Sequence, residues 1–198
     1  MHQLRVASVA KIICDSIENF AETDNVVIAC LLHDMGNIIK FELGYFPEFL
    51  KPEGLAYWQN VKDEYIAKYG KNEVEATHMI VKEIGVSPKV FEYVNQVGFT
   101  RFKETETSPL PAQICAYADM RVGPHGVLSL DGRLLDGKKR YGGKTESSFG
   151  PQKFNALVES IKTVEEKIFQ TAKIKPEAIT DESIAPLLQN LKNFEIRP

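Results

Sequence analysis

The chain has 198 residues, of which 43% are hydrophobic and 26% charged, a composition typical of a globular domain with a substantial core. Its formal net charge of −3 provides no basic field that would attract nucleic acid, so we expect no nucleic-acid partner. No apolar run approaches the roughly 18 residues that a membrane helix needs, and the amino-terminal pattern is not that of a signal peptide. The cysteines, Cys14, Cys30 and Cys115, lack metal or disulfide spacing. We therefore expect one cytoplasmic domain over residues 1–198, without a membrane partner.

The first segment, residues 2–17, has the spacing of one amphipathic helix. Its apolar residues recur at steps of three and four, at Val6, Val9, Ala10, Ile13 and Ile17. His2 and Arg5 lie three positions apart, so we expect their side chains to be neighbours on one face of this helix.

The second predicted helix ends in an adjacent imidazole and carboxylate, His33 and Asp34. Asp24 or Asn25 can cap its start, and an apolar run leads from there to the pair. Charged groups are costly to bury unless they are paired or bind a metal. This pair therefore indicates either a metal site or a helix-terminal interaction with nearby backbone, and Gly36 ends or bends the helix.

Four more helices are expected between residue 55 and the glycine-rich segment that begins at Gly123. Each has apolar residues at helical spacing, and glycine, asparagine or proline marks its ends. The first covers residues 55–69, and the second is capped by Asn72 and ends at Gly85. The third begins at Pro88, and the fourth, which carries Asp119, begins at Pro111.

The composition changes between Gly123 and Pro151. This stretch holds seven of the 13 glycines, together with Arg133, Lys138, Lys139, Arg140 and Lys144. We predict a basic loop or lid over residues 123–152, after a core region over residues 1–122. Helices are expected over residues 153–198, the clearest at 154–169, and the apolar faces are compatible with packing within one chain or in a homo-oligomer.

Four potential metal ligands occur in the order His2, His33, Asp34 and Asp119. Two imidazoles and two carboxylates suit a hydrolytic divalent metal such as Mn, Co, Ni, Zn or Fe. Each residue also has an ordinary interpretation, as a solvated chain end, a helix-terminal pair or a lone helix carboxylate.

This order resembles the HD-domain metal-dependent phosphohydrolase superfamily over roughly residues 1–141. The resemblance rests on three contexts: His-x-x-Arg-Val-Ala at His2, Leu-Leu-His-Asp-Met-Gly at His33, and Tyr-Ala-Asp-Met-Arg-Val at Asp119. It implies an all-α HD-domain helical bundle in which these four ligands bind one metal. The implied reaction is hydrolysis of a phosphoester of a nucleotide, or of another small phosphorylated metabolite, by a metal-bound water that Asp34 orients.

The resemblance also implies roles for residues around the metal. Some superfamily members bind a second metal through two further histidines, whereas this chain offers only His78, so we favour one metal. We expect His78 to contact the substrate or donate a proton, with a hydrogen-bonded helix histidine as the alternative. Arg5 is the expected phosphate contact. Lys40 and Arg121 could reach the pocket rim, although Arg121 could instead pair with a carboxylate.

Two other functions remain open at this point. Di-iron oxygenases have a similar helical scaffold, but they need a larger ligand set than this chain offers. A non-catalytic domain could bind a nucleotide or a partner and use the metal only for structure. The basic residues 133–144 resemble the basic tail after the last aspartate of some HD-domain proteins, where they could close over an anionic substrate, or they could form a solvated surface.

Overall fold

A computed structural model describes residues 1–196, with all of their side chains except those of residues 141–149 and 151. The all-α class is confirmed, since these residues form helices and two isolated β-bridges. The α-helices are α1 (His2–Asp15), α2 (Thr23–Leu32), α3 (Leu55–Tyr69), α4 (Glu73–Ile84), α5 (Pro88–Gln96), α6 (Phe102–Thr105), α7 (Leu110–Asp119), α8 (Leu130–Thr171) and α9 (Asp181–Leu191). Short 3₁₀-helices cover Asn37–Ile39, Pro47–Leu50, Phe99–Arg101 and Pro176–Ala178.

The described chain divides into two compact units. The larger unit consists of Met1–Leu31 and the chain from Pro88 onward, and the smaller unit is Leu32–Ser87. The four predicted metal ligands are split between them: His2 and Asp119 belong to the larger unit, and His33 and Asp34 to the smaller one.

Helix α7 is the centre of the larger unit. It packs against α1, α5 and α8, and α1 also packs against α9. Residues 112–118 are all buried, so this helix has no solvated face until it reaches Asp119. The core therefore holds the carboxylate of Asp119 at the point where α7 emerges. The three cysteines are also buried in this unit.

The smaller unit combines α3 and α4 with the turn that follows α2. Asn72 caps α4 as predicted, because its side-chain oxygen accepts from the backbone N–H groups of Val74 (2.9 Å) and Glu75 (3.1 Å). Gly85 ends α4 in the left-handed conformation, which glycine adopts without steric cost. Helix α3 has the predicted bounds but buries none of its residues.

The loop predicted over residues 123–152 is wrong from Leu130 onward, because α8 begins there and continues to a break at Gly150. Ser129 caps the helix by accepting from the N–H of Gly132 at 3.1 Å. Asp136 accepts from Arg140 one turn later, and Leu130 is buried. These local interactions offset the helix penalty of the glycines. No helix among residues 1–196, α8 included, is long and apolar enough to cross a membrane.

Candidate metal centre

The larger unit brings His2 and Asp119 together across 117 positions of sequence. Nε2 of His2 lies 3.0 Å from Oδ1 of Asp119, and 33% and 18% of the two side chains are exposed. His2 is the first residue of α1, and the N–H of Arg5 donates to the carbonyl of Met1, which closes the first turn. Packing of α1 against α7 therefore positions an imidazole and a carboxylate side by side at the edge of a buried core.

The smaller unit contains the second imidazole–carboxylate pair. His33 and Asp34 follow the last residue of α2, and Nε2 of His33 lies 3.5 Å from Oδ2 of Asp34. The His33 side chain is almost fully buried, with 2% exposed, whereas 27% of Asp34 is exposed. This difference gives Asp34 the more accessible donor atoms of the pair.

Gly36 lets the turn after Asp34 pack closely against α4. Its N–H donates to the hydroxyl of Thr77 at 2.9 Å, and this hydroxyl donates to the carbonyl of Glu73 at 2.9 Å. A Cβ atom at Gly36 would lie 2.3 Å from that carbonyl oxygen, closer than packed atoms allow. Only glycine therefore fits here. Thr77 positions the turn and was missed by sequence reasoning; the signal that could have revealed it is a polar residue on the apolar face of α4.

The predicted substrate contacts occupy defined positions. His78 lies on α4, next to Thr77, and is half-buried. Lys40 follows the 3₁₀-helix after Gly36, and its Nζ lies 3.6 Å from Oε1 of Glu73. Nη1 of Arg5 donates to the carbonyl of Pro124 at 3.5 Å. The roles of Arg5, Lys40 and His78 stay predictions.

Arg121 is bonded within the larger unit and is not exposed as a substrate contact, the first role that the sequence suggested. It is 2% exposed, and its guanidinium donates to oxygen atoms of the larger unit. These acceptors are the carbonyls of Leu128 (2.5 Å), Pro176 (3.1 Å) and Ile179 (3.2 Å) and the hydroxyl of Tyr117 (2.7 Å). These bonds do not include the carboxylate partner that the sequence offered as an alternative; the Tyr117 hydroxyl in turn donates to Glu165 at 2.5 Å. Burial raises the pKa of this phenol, which stays protonated.

The comparison with family models identifies the fold family. The model of the HD domain matches residues 1–120, which include all four predicted ligands. The chain belongs to the HD-domain family. Neither the curated proteins nor the solved structures searched contain a match to it.

HD domains bind divalent metals, and the donor set of this chain fits that chemistry. The larger unit contains one imidazole and one carboxylate at His2–Asp119, and the smaller unit contains another such pair at His33–Asp34. Neutral imidazole and carboxylate are ligands for Mn, Co, Ni, Zn and Fe. A metal ion would also offset the cost of burying the imidazole of His33.

Proposed function

We propose that this HD domain is a metal-dependent phosphohydrolase. Its substrate would be a phosphoester of a nucleotide or of another small phosphorylated metabolite. The observation that carries the proposal is the His2–Asp119 pair, in which residues 117 positions apart lie 3.0 Å from each other at the family's motif positions.

The four motif residues His2, His33, Asp34 and Asp119 would hold one divalent metal. When bound, such an ion lowers the pKa of coordinated water and polarises a phosphoryl oxygen. The single histidine between the His-Asp pair and Asp119, His78, supports one metal rather than two. A second metal would need further protein ligands.

The remaining residues act on the substrate. Asp34 is the more exposed residue of the His33–Asp34 pair, so its second oxygen would accept a hydrogen bond from the attacking water and orient it. Arg5 lies one turn from His2 and would hold a phosphate through two parallel N–H donors. Lys40 and His78 would contact the phosphate or protonate the leaving oxygen.

The test combines metal analysis and phosphate release in one preparation. The purified chain is analysed for bound metals and assayed against nucleoside mono-, di- and triphosphates and sugar phosphates, with Mn, Co, Ni, Zn or Fe(II) added. About one metal per chain is expected, with phosphate release. Asp34→Asn should lower kcat/KM by at least about 100-fold, since even partners that only orient metal ligands contribute 10–100-fold.

The control is Asp24→Asn, which changes an exposed carboxylate on α2 and should leave both readouts unchanged. Two irons per chain without phosphate release would favour the oxygenase alternative and overturn the proposal. A metal that stabilises the fold without any phosphate release would favour the non-catalytic domain. Failure to bind any of these metals would overturn the metal centre itself.

A further inference from the structure

The larger unit contains a pocket of about 220 Å³ beside the end of α7. Its walls come from the turn after Val122 and from the first turns of α8. Its titratable lining residues are His125, Asp136 and Lys139, and its apolar ones are Pro124, Leu128 and Leu135. The metal centre uses none of them.

Two hydrogen bonds and a β-bridge fix the turn side of this pocket. Val122 and Val127 form an isolated β-bridge, and the N–H of Gly123 donates to the carbonyl of Gly126 at 2.8 Å. The N–H of Val127 donates to Oδ1 of Asp181 at 3.1 Å, so α9 fixes the turn from behind. A Cβ atom at Gly126 would lie 2.3 Å from Oδ2 of Asp181, which shows how closely the turn is packed.

The pocket lies within one small ligand's length of the His2–Asp119 pair. Gly123 is four residues after Asp119, and four residues span at most about 14 Å even when fully extended. The chain between them is a tight turn, in which the N–H of Val122 donates to the carbonyl of Asp119 at 3.1 Å. On the other side, Arg5 reaches from the helix of His2 to the carbonyl of Pro124.

The lining of the pocket suits a ring with a polar edge on an anionic ligand. Pro124, Leu128 and Leu135 are apolar, and the glycines leave backbone accessible, so a flat group can approach both walls. Lys139 adds a cation at the rim. Residues 131–140 contain four basic and two acidic side chains, a local charge of 4 − 2 = +2 in a chain of net charge −3. Asp136 also lines the pocket, but it is paired with Arg133 and Arg140, so the remaining positive charge favours an anion.

We propose that this pocket receives the ring-bearing group of a phosphomonoester whose phosphate is bound at the metal centre. This inference rests on the proposed function. Leu135 and Pro124 would pack against the ring, and Lys139 would donate to its polar edge. The volume of about 220 Å³ lies below the roughly 300–1,000 Å³ of pockets for drug-sized ligands, so the pocket suits one base-sized group.

Kinetics with two esters tests the assignment. Adenosine 5′-monophosphate carries a ring that can enter the pocket, whereas glycerol phosphate has no ring. Leu135→Gln and Lys139→Glu should each raise KM for the nucleotide by at least about tenfold, because losing a methylene-sized contact in a binding pocket already changes discrimination by that amount. Their KM for glycerol phosphate should change less than twofold if the pocket holds only the ring.

Two controls match these variants. Lys138→Glu makes the same charge change at the preceding exposed residue of α8, outside the pocket. Leu55→Gln changes a leucine in the smaller unit that is 53% exposed, against 55% for Leu135. Both controls should retain the wild-type KM for the nucleotide, and an effect of Lys138→Glu as large as that of Lys139→Glu would overturn the pocket in favour of a general field.

Calorimetric binding of the same nucleotide to the Asp34→Asn protein separates the two proposals. Weaker binding after Leu135→Gln or Lys139→Glu in that background supports the pocket, even if no ester is hydrolysed by the wild-type protein and the phosphohydrolase proposal fails. Phosphate release with pocket variants that bind and turn over the nucleotide like the wild type would overturn the pocket and leave the phosphohydrolase intact. Absence of nucleotide binding to both the wild-type and the Asp34→Asn protein would also overturn the pocket.

Discussion

Arg121 connects three segments of the larger unit through one guanidinium group. Its acceptors are carbonyls of the turn before α8 and of the segment before α9, and the hydroxyl of Tyr117 in α7. The planar guanidinium offers five donors in a fixed arrangement, which a lysine ammonium cannot reproduce. The residue two positions after Asp119 is therefore structural, although its sequence context also fits a substrate contact.

Removing this guanidinium should destabilise the larger unit strongly. We expect Arg121→Ala to lower the free energy of unfolding by about 3 kcal/mol, because it leaves buried acceptors unsatisfied. Arg121→Lys should recover only part of that loss. Urea unfolding followed by circular dichroism measures both, with Lys162→Ala on the exposed side of α8 as the control. A loss below about 1 kcal/mol for Arg121→Ala would mean that the network adds no more than one ordinary hydrogen bond.

Glu22 links α2 to α5 within the larger unit. Its carboxylate accepts from Lys89 at 2.6 Å, from Asn25 at 2.9 Å and from Tyr93 at 3.2 Å. The hydrogen bond from Lys89, followed by that from Asn25, holds the pKa of Glu22 below its usual value of 4.5. A carboxylate with a lowered pKa in the folded state stabilises the fold above its unfolded-state pKa, and this contribution disappears as the pH falls through the folded-state pKa.

The stability lost in Glu22→Gln should therefore depend on pH. The variant should be less stable than the wild type at pH 7, and the difference should shrink as the pH falls below 4.5. Urea midpoints at a series of pH values measure it. Glu92→Gln changes an exposed carboxylate on α5 and should show no such trend. A stability difference that is equal at pH 7 and at pH 3 would contradict the electrostatic explanation.

At the scale of elements, Gly36 determines how closely the His33–Asp34 turn approaches α4. We expect Gly36→Ala to cost about 1–3 kcal/mol, the usual range for forcing extra atoms into a packed region. Since the turn carries two proposed ligands, metal affinity should fall as well. Gly44→Ala is the matched control, because a Cβ atom there meets nothing within 4 Å. Thermal melting and metal titration of the two variants give the comparison, and identical results for both would show that the turn can shift at no cost.

A substitution at Gly137 tests whether the segment that begins at Leu130 is a helix or a loop. It lies inside α8, where an added Cβ atom would only touch Nη1 of Arg133 at 3.5 Å. Gly137→Ala should stabilise the protein by about 0.5–1 kcal/mol, because alanine loses less backbone entropy in a helix. Gly150→Ala should destabilise it, since Gly150 has a φ of 71°. A neutral effect of Gly137→Ala in melting experiments would favour the loop that the composition predicted.

The elements that sequence reasoning located well have signals within a few residues. The cap at Asn72 and the stop at Gly70 are local, so the bounds of α3 and the start of α4 follow from sequence. The start of α8 has a cap at Ser129 and a pair between Asp136 and Arg140. These local helix signals were overlooked because the high glycine content of the segment predicts a loop. The candidate site likewise combines residues that the sequence reveals with contacts that it does not. The motif residues are recognisable, whereas the contacts of Arg5 and Arg121 depend on segments distant in sequence.

At the scale of the molecule, the proposed ligands come from both compact units. His2 and Asp119 lie in the larger one, and His33 and Asp34 in the smaller one. A ligand that binds only the folded state stabilises it by about 2.7 kcal/mol at 100 times its dissociation constant. If one metal uses both pairs, a substitution in the larger unit must change how strongly metal stabilises the smaller one.

Trp58, the single tryptophan, reports on the smaller unit. It lies on α3, and its indole N–H donates to the carbonyl of Leu50 at 3.2 Å. Added Mn should move the urea midpoint of its fluorescence upward, and Asp119→Asn should remove most of that metal-dependent shift. Asp131→Asn, an exposed acid of the larger unit, should retain it. Because each variant is compared with and without metal, a general loss of stability cancels, and a full shift in Asp119→Asn would mean that the two pairs do not share an ion.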